Sequence, residues 1–350
     1  MSKVDQPFLL SDFREEYVNL LSPLFSQHTR VDTVEFVYAL IRAGGMEDAG
    51  WDPLEESRAF VNDLTGIIQR EAPAGSVTDP ETTRWRLALV AYAHLVEMDA
   101  PYDMLANLFR IRAGRRYSVR PFADLAKTKK GTKGLNGPPP PGPTKKLPVL
   151  RNLAASCRMS AVTDAFDSFY FGPLRNAISH SDFVLHGKAF RARESYFEDA
   201  PGSRVFMRSL ELNRLQEILS RAYFFYSTFL DLELRARVTF GQLKGQTFQY
   251  DQRYKGILEL LFDEEVVCGL TIHWPNRTSS TLRRGAQGCE ATNIVFGREG
   301  SIEPMVGLYA RHPGEYSPLV ERDATPVYQR ADDGSDITWD RARIPTALDR

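Results

Sequence analysis

Residues 174–186 read Leu-Arg-Asn-Ala-Ile-Ser-His-Ser-Asp-Phe-Val-Leu-His, and they crowd anion-handling and proton-transfer chemistry into one short stretch. Arg175 carries a permanent planar cation, Asn176 offers both donors and an acceptor, and His180 is of the residue type that titrates near neutrality. Such a set can hold a phosphate, orient a hydroxyl and move a proton. RNA cleavage asks for little more, because the substrate's own 2′-hydroxyl can be the nucleophile. The protein then supplies an acid or base and a cation for the charge that develops on phosphorus oxygens. On a continuous helix Asn176 and His180 share a face, while Arg175 lies about 140° around from His180 and must reach back along its own length. Two copies meeting at a dyad would bring Arg175 of one chain near His180 of the other. The competing reading is a helix end in which His180 caps carbonyls and Arg175 pairs with a carboxylate.

His180-x-Asp182-x3-His186 also has ligand-type side chains, but no fourth ligand is close in sequence, so a metal site is not expected. Asp182 reads as a supporting residue that orients an imidazole or pairs with an arginine. No phosphate-cradling Gly-x-x-x-x-Gly-Lys and no Rossmann glycine pattern occurs, so neither ATP nor NAD is implied and no cofactor is expected. Cys157, Cys268 and Cys289 are odd in number, widely spaced and free of a C-x-x-C pair, which points away from a disulfide framework or a zinc site. Asn276-Arg-Thr278 matches a glycosylation sequon of little weight without secretion, and His94, inside the apolar run from Leu87 to Val96, reads as a core histidine.

The elements that must position the signature follow from periodicity. Apolar residues recur at three- and four-residue spacing over Phe13 to Phe25, Val34 to Ala43, Leu54 to Ile68, Thr82 to Val96 and Pro101 to Ile111, which predicts a run of helices. Asp32 and Asp52-Pro53 mark helix starts and Gly114 a stop. Residues 126–148, rich in Lys, Gly and Pro, predict a mobile basic loop and an extended polyproline piece, with helix resuming from Val149 to Tyr170. Phe183, Leu185, Ala189 and Arg191 alternate as a half-buried hairpin turning near Gly187 would. Ser209 is placed to cap a long helix running to about Arg235. From Val238 onward, short β-prone segments (Gln246 to Tyr250, Val266 to His273, Asn293 to Phe296, Met305 to Tyr309) alternate with Gly, Pro and Asn, and a polar end follows Ala331. An interruption over Gly256 to Phe262 reads as a helical turn or another strand. The expected organisation is therefore a helical part over 1–125, the loop 126–148, the signature region 149–237, a β-rich domain 238–331 and a tail 332–350.

Charge is unevenly distributed behind a formal net of −1. Met1 to Phe109 holds 8 basic against 18 acidic residues, and Arg110 to Arg158 holds 13 basic against one acidic, Asp124. Such a block either attracts a polyanion or docks on the acidic N-terminal part of the same chain. Lys127, Lys129, Lys130, Lys133, Lys145 and Lys146 are the residues expected to attract RNA through its phosphates. The longest strongly apolar run is about half of what a membrane span requires, and no leader is evident, so no membrane partner is expected and the cytoplasm is the expected compartment.

Arg175-Asn176-Ala177-Ile178-Ser179-His180 resembles the R-N-x3-H signature (the Arg-x4-6-His motif) of HEPN domains, many of which are metal-independent ribonucleases. The resemblance covers residues 85–237 and is strongest over 174–190, where signature, hairpin and final long helix follow the order seen in several such domains. The basic, proline-rich insertion departs from the compact form. The resemblance implies Arg175 and His180 as the catalytic pair, Asn176 as the polar residue beside the arginine, and two motifs meeting across a homodimer. The expectation is an α+β chain, a mainly α-helical HEPN-like bundle with a smaller β-rich C-terminal domain. Its expected function is RNA cleavage, toxin-like or defence-associated. The alternative is a non-catalytic HEPN-like module for binding or oligomerisation, with a protein partner or regulator.

Overall fold

The computed structural model describes Leu9 and residues 13–26, 33–43, 53–70, 79–126, 141–192, 209–251, 254–276, 278–285, 288–297, 300–306, 327–329 and 336–338. The chain is mixed α+β, and its described residues form two compact units, each assembled from separate stretches of sequence.

The first unit takes residues 1–23, 53–105 and 122–232. Its helices are α1 (Phe13–Phe25), α3 (Pro53–Gln69), α4 (Pro80–Glu97), the start of α5 (Asp99–Arg112), α6 (Pro143–Ser156), the single turns α7 (Ser160–Asp164) and α8 (Phe166–Phe169), α9 (Gly172–Ser179), and α10 (Leu212–Thr239) as far as Leu232. A small sheet of β1 (Phe183–His186), β2 (Ala189–Ala192) and β3 (Ser209–Glu211) is antiparallel throughout, with Leu185 opposite Phe190 and Phe190 opposite Leu210. The core is strongly aromatic. Phe166 lies 4.9 Å from Phe225 and 5.8 Å from Tyr102 between ring centres. Buried tyrosines need partners for their hydroxyls. Tyr102 donates to the Val96 carbonyl at 2.9 Å and stands 2.9 Å from the Tyr226 hydroxyl, so Tyr226 donates in turn to Tyr102.

The second unit takes residues 24–52, 106–121 and 233–350. A five-stranded antiparallel meander runs in the order β4 (Thr247–Asp251), β5 (Lys255–Asp263), β6 (Val266–His273), β7 (Ser279–Gly285) and β8 (Gly288–Thr292). Two separate antiparallel pairs, β9 (Ile294–Phe296) with β10 (Ile302–Pro304) and β11 (Val327–Gln329) with β12 (Asp336–Thr338), are also described in this unit. In β6 every residue from Val267 to Ile272 is buried, as expected of a strand covered on both faces. Gly269 is required there, because a Cβ would sit 2.3 Å from the Leu282 carbonyl oxygen. Helix α2 (Thr33–Leu40) contributes the buried Glu35, whose carboxylate accepts the Tyr117 amide at 2.6 Å and pairs with Arg116 at 3.3 Å. Arg284 donates to the Ile41 and Arg42 carbonyls, both at 2.6 Å, placing a cation at the negative end of α2.

Four helices end the same way. The first residue past the cap has a left-handed backbone, with paired bonds back to the last turn: Ala43 to Tyr38, Arg115 to Arg110, Met159 to Ala154 and Asp182 to Ala177. This is the Schellman arrangement, which normally takes glycine at the left-handed position. Gly114 (φ 73°) obeys, but Arg42 (φ 46°), Arg158 (φ 61°) and Ser181 (φ 53°) hold the other three.

Several expectations need correction. Residues 143–148 are helical rather than extended: Pro143 opens α6, and Pro148 is accommodated within it. The pattern from Val149 to Tyr170 is not one helix, since the left-handed Arg158 ends α6 before α7 and α8. Ser209 lies in β3 instead of capping α10, which starts directly from the strand at Leu212. In the hairpin Phe190 faces inward and Arg191 is exposed. Of the two readings of Gly256 to Phe262 the strand holds, as part of β5, whereas β12 lies inside the stretch taken for a polar tail. Met305 follows strand β10 (Ile302–Pro304) and is not itself in a strand, and residues 307–309 of the segment expected from Met305 to Tyr309 lie outside the described residues. Residues 24–52 and 106–121 group with the C-terminal strands, where the sequence boundaries had assigned them to the helical part. No described helix is long and apolar enough to cross a membrane.

Candidate functional site

Helix α9 carries the signature, and α4 sets where it begins. Asp79 caps α4 by accepting from the Thr82 amide at 3.0 Å and hydroxyl at 2.6 Å, with Pro80 in the first turn. Thirteen residues on, the Tyr92 hydroxyl donates to the Phe169 carbonyl at 2.9 Å and accepts the Phe171 amide at 3.0 Å. Phe171 is the residue immediately before α9. Full burial pushes the Tyr92 phenol's pKa well up, so it remains a neutral hydroxyl that can bridge both backbone groups.

Glu97, the last residue of α4, forms an ion pair with the Arg175 guanidinium. Arg175 also donates from Nη1 to Asn176 Oδ1 at 2.8 Å, and its side chain is only 23% exposed. Carboxylate, guanidinium and amide thus form a short relay in which the guanidinium plane is fixed from two sides. Tyr170 stands close by. Its hydroxyl meets Thr144 Oγ1 at 2.8 Å at the start of α6, where Gly142 supplies no capping side chain. Burial pushes the Tyr170 phenol up, with the Thr144 hydrogen bond and the Arg175 charge acting in the opposite direction.

The helix stops at Ser179, so His180 is the cap residue (φ −95°, ψ 3°) and not part of a continuous helix. Its amide bonds back to the Asn176 carbonyl at 3.0 Å, while its imidazole is exposed and makes no hydrogen bond to another described residue. Arg175 and Asn176 are therefore joined directly, and His180 is presented to solvent just past them. Asp182 is half-buried and engaged through its amide with Ala177. His186 is exposed at the end of β1, and no three His, Cys, Asp or Glu among the described residues gather as metal ligands would.

Of the six lysines expected to meet RNA, Lys127, Lys129, Lys130 and Lys133 lie outside the described residues, and Lys145 is exposed. Lys146 requires a correction, because it is 3% exposed. Its ammonium bonds Asp99 at 2.8 Å and Asp103 at 3.2 Å, above the rings of Phe122 and Tyr102. At Lys146, and at Arg116 with Glu35, basic-block residues pair with the acidic N-terminal stretch of the same chain. Sequence reasoning missed Glu97, Tyr92 and Tyr170. The only trace Glu97 leaves is a carboxylate that closes an apolar helical run.

Comparison with protein-family models, with curated proteins and with solved structures finds no match for this chain.

Proposed function

We propose that the chain is a metal-independent endoribonuclease of the HEPN type, with Arg175, Asn176 and His180 as its working residues. The observation that carries this reading is the relay from Glu97 through Arg175 to Asn176, one turn before an imidazole that faces solvent. An ion-paired guanidinium keeps unused N–H donors for phosphate oxygens, and its orientation is already fixed when substrate arrives. The Asn176 amide donors, which bond no other described residue, can hold the same phosphate or an opposing imidazole.

The chemistry balances without an added reactant. The 2′-oxygen bonds to phosphorus as its proton passes to a base, and the bond from phosphorus to the 5′-oxygen breaks as that oxygen takes up a proton. A 2′,3′-cyclic phosphate and a 5′-hydroxyl result. His180 serves as acid or base, and Arg175 offsets the charge on the pentacoordinate phosphorus. His180→Ala is expected to abolish cleavage of RNA in EDTA while unfolding at the same urea concentration as the parent, because the side chain is exposed. Undiminished turnover by that variant sinks the assignment.

A second reading, a non-catalytic module for binding or oligomerisation, draws on the same ion pair, since Glu97 answers the Arg175 charge from within the chain. It predicts RNA or protein binding that His180→Ala leaves untouched.

A further inference from the structure

Where α3, α4 and the start of α5 meet, a cleft of about 300 Å³ is lined by Leu54, Ser57, His94, Glu97, Met98 and Asp99, with Ala100 beside them. That is the lower end of the range for small-molecule pockets. Three of its groups can hydrogen-bond in an informative way. The His94 ring packs 4.7 Å from Phe60, and its Nε2 is buried without a hydrogen bond to a described residue. Burial lowers the pKa of this imidazole, which favours the uncharged form. Glu97 is paired with Arg175, and Asp99 shares the Lys146 ammonium with Asp103, at 2.8 and 3.2 Å. Each cleft carboxylate thus has a cationic partner within the chain, and the carboxylates together disfavour an anion. What remains is an apolar slot whose polar edge accepts hydrogen bonds, since each carboxylate has lone pairs beyond those its cation uses. A flat, uncharged ligand with N–H donors along one edge suits that surface.

Glu97 belongs both to this cleft and to the Arg175 relay, so a phosphodiester held by Arg175 would have its nucleoside within reach of the cleft. We infer that the cleft is the nucleobase subsite of the proposed ribonuclease site and that it takes guanine in preference to uracil. This rests on the ribonuclease reading. Guanine presents its ring N–H and amino group side by side, a fork that a carboxylate accepts with two oxygens. Uracil offers one N–H between two carbonyl oxygens, which face a carboxylate unfavourably.

Guanosine and uridine, which carry the base without a phosphate, separate base binding from cleavage. Calorimetric titration of each nucleoside is made on the wild-type chain, on His180→Ala, and on Ala100→Trp and Ser57→Leu, two substitutions that fill the cleft. Circular dichroism and melting curves establish that each variant is folded. Guanosine is expected to bind wild type and His180→Ala equally, about tenfold or more tighter than uridine, and to lose about tenfold or more in each filled variant. Unchanged guanosine binding in a folded filled variant, or uridine binding as tight as guanosine, overturns the inference. The two readings fail separately. Guanosine binding that the filled variants abolish, in a protein that cleaves no RNA, upholds the base site and removes the ribonuclease. Cleavage that depends on His180, without guanosine binding, removes the base site alone.

Discussion

Arg175 illustrates how a side chain can be committed structurally and still be of use chemically. Its planar fork accommodates Glu97 and Asn176 and retains donors, which a lysine ammonium with its single centre would not do with the same geometry. Glu97 then has two opposing effects, since its charge repels a phosphate while its oxygens orient the guanidinium. Glu97→Gln is expected to bind RNA more tightly and cleave it more slowly, so that KM and kcat fall together. Steady-state kinetics on a short RNA of uridine alone, which makes no guanine contact with the Glu97 carboxylate, checks this, and a variant with raised KM and unchanged kcat contradicts it. The cost to folding is small, about 1 kcal/mol or less, because the carboxylate is partly exposed and screened by water. The contiguous residues of the site, Arg175, Asn176 and His180, were legible as a group because one short segment holds them. Glu97 and Tyr92 were not, since packing of α4 against α9 brings them there and no local spacing encodes that contact.

Helix ends show where local signals in this chain were readable and where they were overridden. Gly114 was read as a stop and stands at one, while Asp79-Pro80, which the periodicity passed over in favour of Thr82, also has the residue types its position demands. Arg42, Arg158 and Ser181 occupy left-handed positions without the glycine that would have announced them. A left-handed backbone costs a residue with a Cβ about 1–2 kcal/mol. Ser181→Gly is therefore expected to stabilise the chain by about 1 kcal/mol, read as a higher urea midpoint at constant slope. A lower midpoint would mean that the Ser181 side chain contributes more than the backbone strain takes away. The same stop fixes His180 as a cap residue, which explains why a continuous-helix projection misplaced it. Start signals erred in the opposite direction. Ser209 resembles a cap, yet the residues from it pair with β2, and strand pairing took precedence over capping. Deeper in the helices, Tyr226→Phe removes the donor to Tyr102 and is expected to cost about 1 kcal/mol.

At the scale of the whole molecule, buried phenols and charge make their own demands. Burial raises the pKa values of Tyr17, Tyr92, Tyr102 and Tyr226 above 10.0, so the unfolded chain releases these protons at lower pH than the folded one. Their stabilising contribution is complete below the unfolded value and is lost as pH rises toward the folded values. The urea midpoint is expected to drop between about pH 9 and about pH 11, and less steeply in Tyr226→Phe. The basic block was legible as composition, but its partners were not, because Arg116 and Lys146 reach acidic residues far away in sequence.

The exposed imidazole of His180 and the inward-tied guanidinium of Arg175 raise a question that only the assembly answers: whether one chain holds a whole site. If Arg175 of one chain serves His180 of another, active protein sediments at twice the chain mass of 39.6 kDa. Mixing inactive Arg175→Ala with inactive His180→Ala chains, after reversible dissociation, then creates heterodimers. Each has one site with both residues intact and one with neither, so random pairing restores about a quarter of the wild-type rate. A site built within one chain gives no such recovery, because every chain in the mixture lacks one of the pair. Recovered RNA cleavage, measured against each variant alone at the same total concentration, decides between a site shared across a dyad and one contained in a single chain.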